Sequence, residues 1–179
     1  HTYRLASTGE STGRAADPEN RLIWRANRKR LTAEAIRDSI LSVSGQLSMQ
    51  QGGPTIRKFS QYDWGYEFNT IRRSVYVPLF RNTLLEVMEA FDVANPNVVS
   101  GRRSETTLPT QALYLMNSPF VNAEAERAGE RIIRSGATDA ERVRLVYRLA
   151  LGREPSAVEA DVVMKFIGQS KTAQKPKAW

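Results

Sequence analysis

Cysteine is absent from this chain of 179 residues, and histidine occurs only once, at His1. Without thiols, these residues cannot form disulfides, hold zinc through thiolates or ligate an iron–sulfur cluster. A complete Ser-His-Asp triad is not expected around a histidine at the start of the chain, and a site built on several histidines is excluded. No acidic loop has the spacing of an EF-hand, although other oxygen-ligand sites stay open. We therefore assign no metal site and predict that this chain holds no cofactor.

Long apolar runs are also missing. No stretch approaches the eighteen or so apolar residues of a membrane span, so none is predicted. The first residues lack the basic, apolar and small-residue pattern of a secretory signal. Since the chain starts at His1 rather than Met and stops at Trp179 after a polar stretch, we interpret it as a fragment of a longer protein. The missing signal therefore decides nothing about the compartment.

The composition is that of a globular domain, with 41% hydrophobic and 25% charged residues. The net charge of +7 and the pI near 10.0 favour polyanions as partners. The densest basic cluster, if helical, places three of its members on one solvated face; it consists of Arg21, Arg25, Arg28, Lys29 and Arg30. Nucleic acid is disfavoured as a partner, because no stacking motif, zinc finger or helix-turn-helix glycine turn accompanies the charge.

Cap residues indicate helices along most of the chain. Asp17 followed by Pro18 predicts a helix start, with the carboxylate as the cap and proline at the first helical position. Thr32 opens another helix, and Gly45 is its predicted end. Further helix starts are predicted at capping boxes and at prolines that begin a helix, namely Thr83 to Glu86, Pro109, Ser118-Pro119, Thr138 to Glu141 and Ser156 to Glu159.

The sequence predicts a mainly α fold: an irregular multi-helix domain with one small two-stranded β-hairpin and a C-terminal αα-hairpin. The two strands are expected at Thr55 to Phe59 and at Ser74 to Val77, where β-prone residues follow a Gly-Gly-Pro turn. Residues 1–16 lack periodicity and are predicted to be loop. We expect a single, partial helical domain over residues 1–170, followed by a frayed tail over 171–179.

Aromatic residues alternate with polar or small residues between the two predicted strands, at Tyr62, Trp64, Tyr66 and Phe68. Strict alternation is typical of a strand with one aromatic face, or of an ordered loop laid on the core. The simpler interpretation is that these rings pack inward. The alternative is that Tyr62, Trp64 and Tyr66 line a carbohydrate cleft, because aromatic rings stack on the C–H faces of sugars.

Two arginine pairs are candidates for anion binding. Arg102 and Arg103 precede a predicted helix N-terminus, where outward N–H groups and guanidinium forks suit a carboxylate, sulfate or phosphate. Arg72 and Arg73 lie near the aromatic run. The structural alternative is that such arginines pair with Glu105, with acids elsewhere in the domain, or with backbone carbonyls.

Four polar residues inside apolar stretches are predicted to serve the fold. Arg37 and Asp38 lie at the edge of an apolar helical stripe and suit a buried ionic network. Gln111 and Asn117, in an otherwise apolar helix, are expected to satisfy backbone groups.

Several blocks of the chain, taken in order, carry a family resemblance. They span residues 17–25, 30–38, 52–54, 73–78 with 91–92, and above all 101–121, while residues 147–155 form a weaker closing block. Together they resemble the planctomycete-specific domain of unknown function 1553 over about residues 1–168. The first portion and the final helix of that domain are missing from this chain.

The resemblance implies a large exported protein, periplasmic or extracellular, with carbohydrate-associated modules. It also implies an upstream cytochrome-c-like domain, so that haem c would belong to a neighbouring domain of the same polypeptide. It supplies no catalytic residues. We therefore expect a non-catalytic structural or binding module that contacts its neighbouring domains and binds an anionic polysaccharide.

Two alternatives stay open. The chain could form part of an enzyme acting on complex carbohydrate, or in haem-linked redox chemistry, with its site completed by residues outside this chain. The weaker alternative is a basic nucleic-acid-binding domain.

Overall fold

The computed structural model describes residues 4–7, 12–56, 66–101, 103–135 and 138–169. Two compact units divide the chain, residues 1–31 and residues 32–179. The predicted mainly helical architecture is confirmed, whereas the single domain over residues 1–170 stays a prediction. The helices are α1 (Thr12–Ala16), α2 (Ala33–Ser44), α3 (Glu86–Ala90), α4 (Pro109–Asn117), α5 (Pro119–Ile133), α6 (Asp139–Leu151) and α7 (Ala157–Gln169), together with a 3-10 helix at Ser74–Tyr76.

The first unit corrects two predictions. Helix α1 occupies residues expected to be loop, and the helix predicted to start after Asp17 is wrong, because turns follow it instead. The Asp17 carboxylate accepts hydrogen bonds from the backbone N–H groups of Arg21 at 3.0 Å and Leu22 at 2.7 Å. Asn20 and Ile23 have left-handed φ angles of 58° and 54°, which no α-helix accommodates. The basic cluster therefore does not share one helical face.

Helix α2 is the centre of the second unit and packs against α3, α5, α6 and the 3-10 helix. Its boundaries follow the sequence: the Thr32 hydroxyl accepts a hydrogen bond from the Ala35 N–H at 3.3 Å, and Gly45 ends the helix. Gly45 has a φ of 80°, the left-handed conformation that glycine adopts without strain. Both predicted helix boundaries are thus confirmed.

The buried core of this unit lies between α2 and α3, where Ala33, Val87, Met88 and Phe91 pack together. The Tyr114 ring of α4 meets Phe91 edge-on, with 6.0 Å between ring centroids. The capping box predicted at Thr83 is wrong, because α3 begins only at Glu86. Leu85 precedes the helix in an extended conformation and packs against the core, so tertiary burial prevails over the local capping signal.

Helices α4 to α7 begin where the sequence predicts. Proline occupies the first position of α4 and α5. Thr138 and Glu141 form a reciprocal capping box at α6, as do Ser156 and Glu159 at α7. Gly152 ends α6 with a φ of 66°, and α6 packs against α7 as the predicted αα-hairpin.

The predicted β-hairpin is wrong for the described residues. They contain one isolated parallel bridge, between Ser48 and Arg72, and residues 74–76 form the 3-10 helix instead of a strand. The reason lies in side-chain hydrogen bonding: the Asp38 carboxylate accepts a hydrogen bond from the Ser74 N–H at 2.8 Å, and the Arg37 guanidinium donates to the Arg72 carbonyl at 2.9 Å. Backbone groups that a partner strand would have paired are satisfied by side chains. Residues 57–59 of the first predicted strand lie outside the described residues.

Candidate functional site

Arg72 holds a loop together through all of its donors. Its guanidinium makes five hydrogen bonds to the carbonyls of Gln50, Gly52, Gly53 and Pro54, and a guanidinium has five N–H groups. The side chain is also stacked over the Tyr76 ring, with 4.9 Å from its central carbon to the ring centroid. An external anion at Arg72 would have to displace these backbone carbonyls.

Arg37 and Asp38 form the ionic network that the sequence predicted. Arg37 is 3% exposed and donates to the carbonyls of Thr70 and Arg72 and to the Ser74 hydroxyl. The Asp38 carboxylate lies 3.7 Å from the Arg37 guanidinium and accepts a hydrogen bond from the Ser74 hydroxyl at 2.7 Å. This network fixes residues 70–74 against α2.

The other three arginine candidates for anion binding differ in their surroundings. Arg103 donates to both carboxylate oxygens of Glu34, at 2.8 and 2.9 Å, which is the pairing with an acid elsewhere in the domain that the sequence left open. Hydrogen bonds from the Glu34 backbone and from Arg103 lower the pKa of Glu34, although burial opposes them as the largest single effect. Arg73 is exposed, and Arg102 lies outside the described residues.

The predicted polar roles in α4 are confirmed. The Gln111 side-chain carbonyl accepts a hydrogen bond from the Leu108 N–H at 3.2 Å, and the Asn117 amide donates to the Leu113 carbonyl at 2.9 Å. Both side chains satisfy backbone groups at the ends of the helix.

The described part of the aromatic run gathers around one ring. Tyr66 is stacked on Phe80 with 4.0 Å between ring centroids, and Phe68 lies 6.1 Å from the same ring at a tilt. Tyr66 and Phe68 are half-buried. Tyr62 and Trp64, the other two carbohydrate-stacking candidates, lie outside the described residues.

These two aromatic residues line a pocket of about 640 Å³ in the second unit. The pocket is bounded by α2, α3, α4, α5 and residues 66–71, and its volume lies within the range of small-molecule sites. Tyr114 and Phe120 add two further rings to its lining. The charged residues that line it are Arg37, Glu86, Glu124 and Arg127.

Glu124 is the exceptional side chain of this pocket. The residue is 3% exposed, and its Oε1 accepts a hydrogen bond from the Arg127 guanidinium. Its Oε2 is buried without a hydrogen-bond donor among the described residues. Since buried polar atoms are nearly always hydrogen-bonded, a carboxylate oxygen left in this state requires an explanation.

Electrostatics tie Glu124 to the buried network. Burial lowers the pKa of Arg37, whereas the negative charges of Asp38 and Glu124 raise it. Arg37 nevertheless stays positively charged at neutral pH, because guanidinium groups do not deprotonate in proteins. Burial raises the pKa of the Tyr114 hydroxyl, which therefore stays protonated as a potential donor.

Comparison with known proteins assigns the chain to a family. Residues 1–167 match the model of the family described as Protein of unknown function (DUF1553), PSD1. The chain belongs to the DUF1553 family. No curated protein and no solved structure matches it.

Among the residues that the structure describes, no group of three or more His, Asp or Glu side chains is arranged to hold a metal ion. None of the described helices is long and apolar enough to cross a membrane.

The sequence predictions for this DUF1553 chain did not include Glu124, although the residue pattern of α5 indicates that its side chain is buried. Phe120, Glu124, Ala128 and Ile132 recur every four residues and therefore share one face of the helix. Ala128 and Ile132 are buried on that face. An acidic residue inside an apolar stripe is the pattern that would have indicated a buried carboxylate.

Proposed function

We propose that this chain is a non-catalytic binding module that holds a polysaccharide segment in the pocket beside Glu124. One observation carries the proposal: aromatic rings line the same concave site as a buried carboxylate oxygen to which no described residue donates a hydrogen bond. Sugars present C–H faces that suit aromatic rings and hydroxyl groups that suit carboxylates. Binding pockets typically combine a mostly apolar lining with a few polar groups in this way.

Tyr66 and Phe68 would provide the stacking surface. Their rings are held in place by Phe80, and such preorganisation reduces the entropy that a ligand loses on binding. This arrangement supports both interpretations of the aromatic run, since the rings pack on a neighbour and also line a site.

The arginine pair at residues 102–103 offers weaker support for an anionic polysaccharide. Arg103 already pairs with Glu34, so an anionic chain would gain its attraction only by replacing this ion pair. The pocket is therefore the better candidate for the primary binding site, with Arg73 and Arg103 as secondary candidates for anionic groups.

The module is proposed to belong to a large exported protein, where it contacts neighbouring haem- and carbohydrate-associated domains. The family resemblance supports this context. Sequencing the complete open reading frame tests it: a signal peptide and an upstream Cys-x-x-Cys-His motif are expected. A frame with neither feature would contradict the exported, haem-associated context while leaving the pocket proposal untouched.

Titration with oligosaccharides tests the binding function itself. Calorimetry with Tyr66→Ala is expected to show a loss of affinity of roughly tenfold or more, because a stacking surface is removed. Tyr147→Ala is the matched control, since Tyr147 lies on α6 and is not among the pocket residues. Equal affinity in both variants would contradict binding at this pocket.

An enzyme acting on carbohydrate is the second candidate, and one observation favours it: Glu86 and Glu124 both line the pocket. Two carboxylates flanking a glycosidic bond are the usual machinery of glycoside hydrolysis. Incubating the same oligosaccharides with the chain and measuring reducing ends separates the two functions. Sustained release that Glu86→Gln abolishes would replace the non-catalytic proposal.

A further inference from the structure

We infer that the pocket selects an uncharged sugar, and that Glu124 Oε2 accepts a hydrogen bond from one of its hydroxyl groups. This inference rests on the proposed binding function and specifies the ligand class of the same site. It combines the unsatisfied oxygen of Glu124 with the charge balance of the pocket lining.

The unsatisfied oxygen calls for a hydrogen-bond donor. An ionised carboxylate oxygen accepts hydrogen bonds and donates none, and no described residue donates to Oε2, so a ligand or solvent donor would complete it. Arg127 occupies Oε1, and the Glu124 side chain is 4% exposed. A buried polar atom left unpaired disfavours the folded state, and a ligand that supplies the donor recovers this free energy on binding.

The charges around the pocket indicate a neutral donor. Two arginines, Arg37 and Arg127, and two glutamates, Glu86 and Glu124, are its charged lining residues. A ligand carboxylate or ammonium would add a further charge to this partly buried set, in which Arg37 already faces Asp38 at 3.7 Å, and an added charge is costly to bury unless it is paired. A hydroxyl group satisfies Oε2 without changing the balance.

A small rotation gives the ligand access to Oε2. The terminal torsion of glutamate is broad, so turning the carboxylate plane toward the pocket needs no change of rotamer in the rest of the side chain. Arg127 is half exposed and can follow the carboxylate while keeping its hydrogen bond. The aromatic residues then hold the sugar ring while its hydroxyl points toward α5.

An ordered internal water is the alternative partner of Oε2. A water explains the hydrogen bond equally well but predicts no selectivity among sugars. The two explanations therefore differ in binding experiments.

Calorimetry with the complete chain and three sets of oligosaccharides tests the inference. The probes are neutral glucose, mannose, galactose and xylose oligomers, galacturonate oligomers, and glucosamine oligomers. At least one neutral oligomer is expected to bind more tightly than both charged sets. Tighter binding of a charged oligomer through a Tyr66-dependent site would overturn the neutral ligand class but leave the binding function intact.

Two variants on α5 test the role of Glu124. Glu124→Met keeps an unbranched side chain of similar length and is expected to weaken binding of the neutral oligomer roughly 10- to 100-fold. Glu126→Met makes the same change at an exposed position of α5 that is not among the pocket residues, and should bind like the wild type. Tyr66→Ala is included in the same series.

The outcomes separate the two proposals. Loss of binding in Tyr66→Ala with unchanged binding in Glu124→Met contradicts the role of Glu124 and favours the internal water. No binding of any oligomer contradicts the binding function, and the ligand class falls with it. Thermal melting of each variant is the control that distinguishes weakened binding from unfolding.

Discussion

Two glutamates in different regions of the second unit reverse the usual relation between burial and hydrogen bonding. Glu159, which contributes to the exposed surface of the αα-hairpin, accepts hydrogen bonds at both oxygens, from Arg153 at 2.7 and 2.8 Å and from the Ser156 N–H at 2.8 Å. Glu124, in the pocket, is buried, and none of the described residues donates a hydrogen bond to its Oε2. Water could have supplied the hydrogen bonds of the exposed Glu159, whereas the buried Glu124 depends on protein partners and has too few among the described residues.

We interpret this difference as one between residues that serve the fold and a candidate residue for ligand binding. Glu159 completes a helix cap and an ion pair, and its bonds end within the αα-hairpin. Arg72 is the buried counterpart, since all its donors meet backbone carbonyls. A polar group whose hydrogen-bond partners are all in place stabilises the fold, whereas a buried one that lacks a partner at a concave surface is a candidate for ligand binding.

Arg72→Ala is expected to have the largest effect on stability. The substitution leaves the carbonyls of residues 50–54 without their donors, and loss of about 3–5 kcal/mol in the free energy of unfolding is expected. Chemical denaturation measures it. Arg73→Ala, at the exposed neighbouring position, is the control and should change the free energy by no more than about 0.5 kcal/mol.

Equal losses of stability in the two arginine variants would contradict this account, because the buried hydrogen bonds of Arg72 would then contribute no more than an exposed side chain does. Arg72→Lys is a more specific test. One ammonium cannot replace a planar fork with five donors, so this variant should also be strongly destabilised.

Removing the hydroxyl of an exposed cap should have an intermediate effect. Thr138→Ala breaks the reciprocal bonds with Glu141 at the start of α6 and is expected to lower the free energy of unfolding by about 1 kcal/mol. Thr138→Ser keeps a hydroxyl acceptor and should recover most of the loss. A stability loss in Thr138→Ser as large as that in Thr138→Ala would contradict the cap as the cause.

The smallest effect on stability is expected at Glu159, and it is best measured as a change in the pKa of this residue. Hydrogen bonds from Arg153, followed by the Ser156 N–H, lower the pKa of Glu159 from 4.5 to about 2. Since the folded pKa lies below the unfolded one, this stabilisation is present above pH 4.5 and is lost as the pH falls toward 2. Arg153→Ala should raise the pKa, which NMR titration of the Glu159 carboxyl carbon measures; an unchanged pKa would contradict the assigned cause.

The sequence predicted those parts of the molecule that depend on local chemistry. Thr32, Gly45 and Thr138 mark helix boundaries because caps and left-handed glycines act within one turn. The errors arose where distant residues compete for backbone groups. Residues 74–77 are β-prone as a run, but the Asp38 carboxylate on α2 accepts a hydrogen bond from the Ser74 N–H and so competes with strand pairing.

The pocket could be predicted only in part, since alternation drew attention to Tyr66 and Phe68 but not to their partners. Glu124 lies far along the chain, on a helix whose other buried residues are apolar or small. Whether a described residue donates to its Oε2 depends on how α5 packs in three dimensions. Whether a buried polar atom is hydrogen-bonded depends on the three-dimensional fold and is therefore hard to predict from the sequence.

The most direct test of the central claim is the free energy of unfolding of Glu124→Met compared with the wild type. If the unsatisfied carboxylate serves recognition, the variant should bind the sugar roughly 10- to 100-fold more weakly while losing no more than about 2 kcal/mol of stability, because Arg37 keeps Asp38 and its carbonyl partners when the Glu124 charge is removed. A loss of more than about 2 kcal/mol would contradict the account, since Glu124 would then be a structural partner of Arg37.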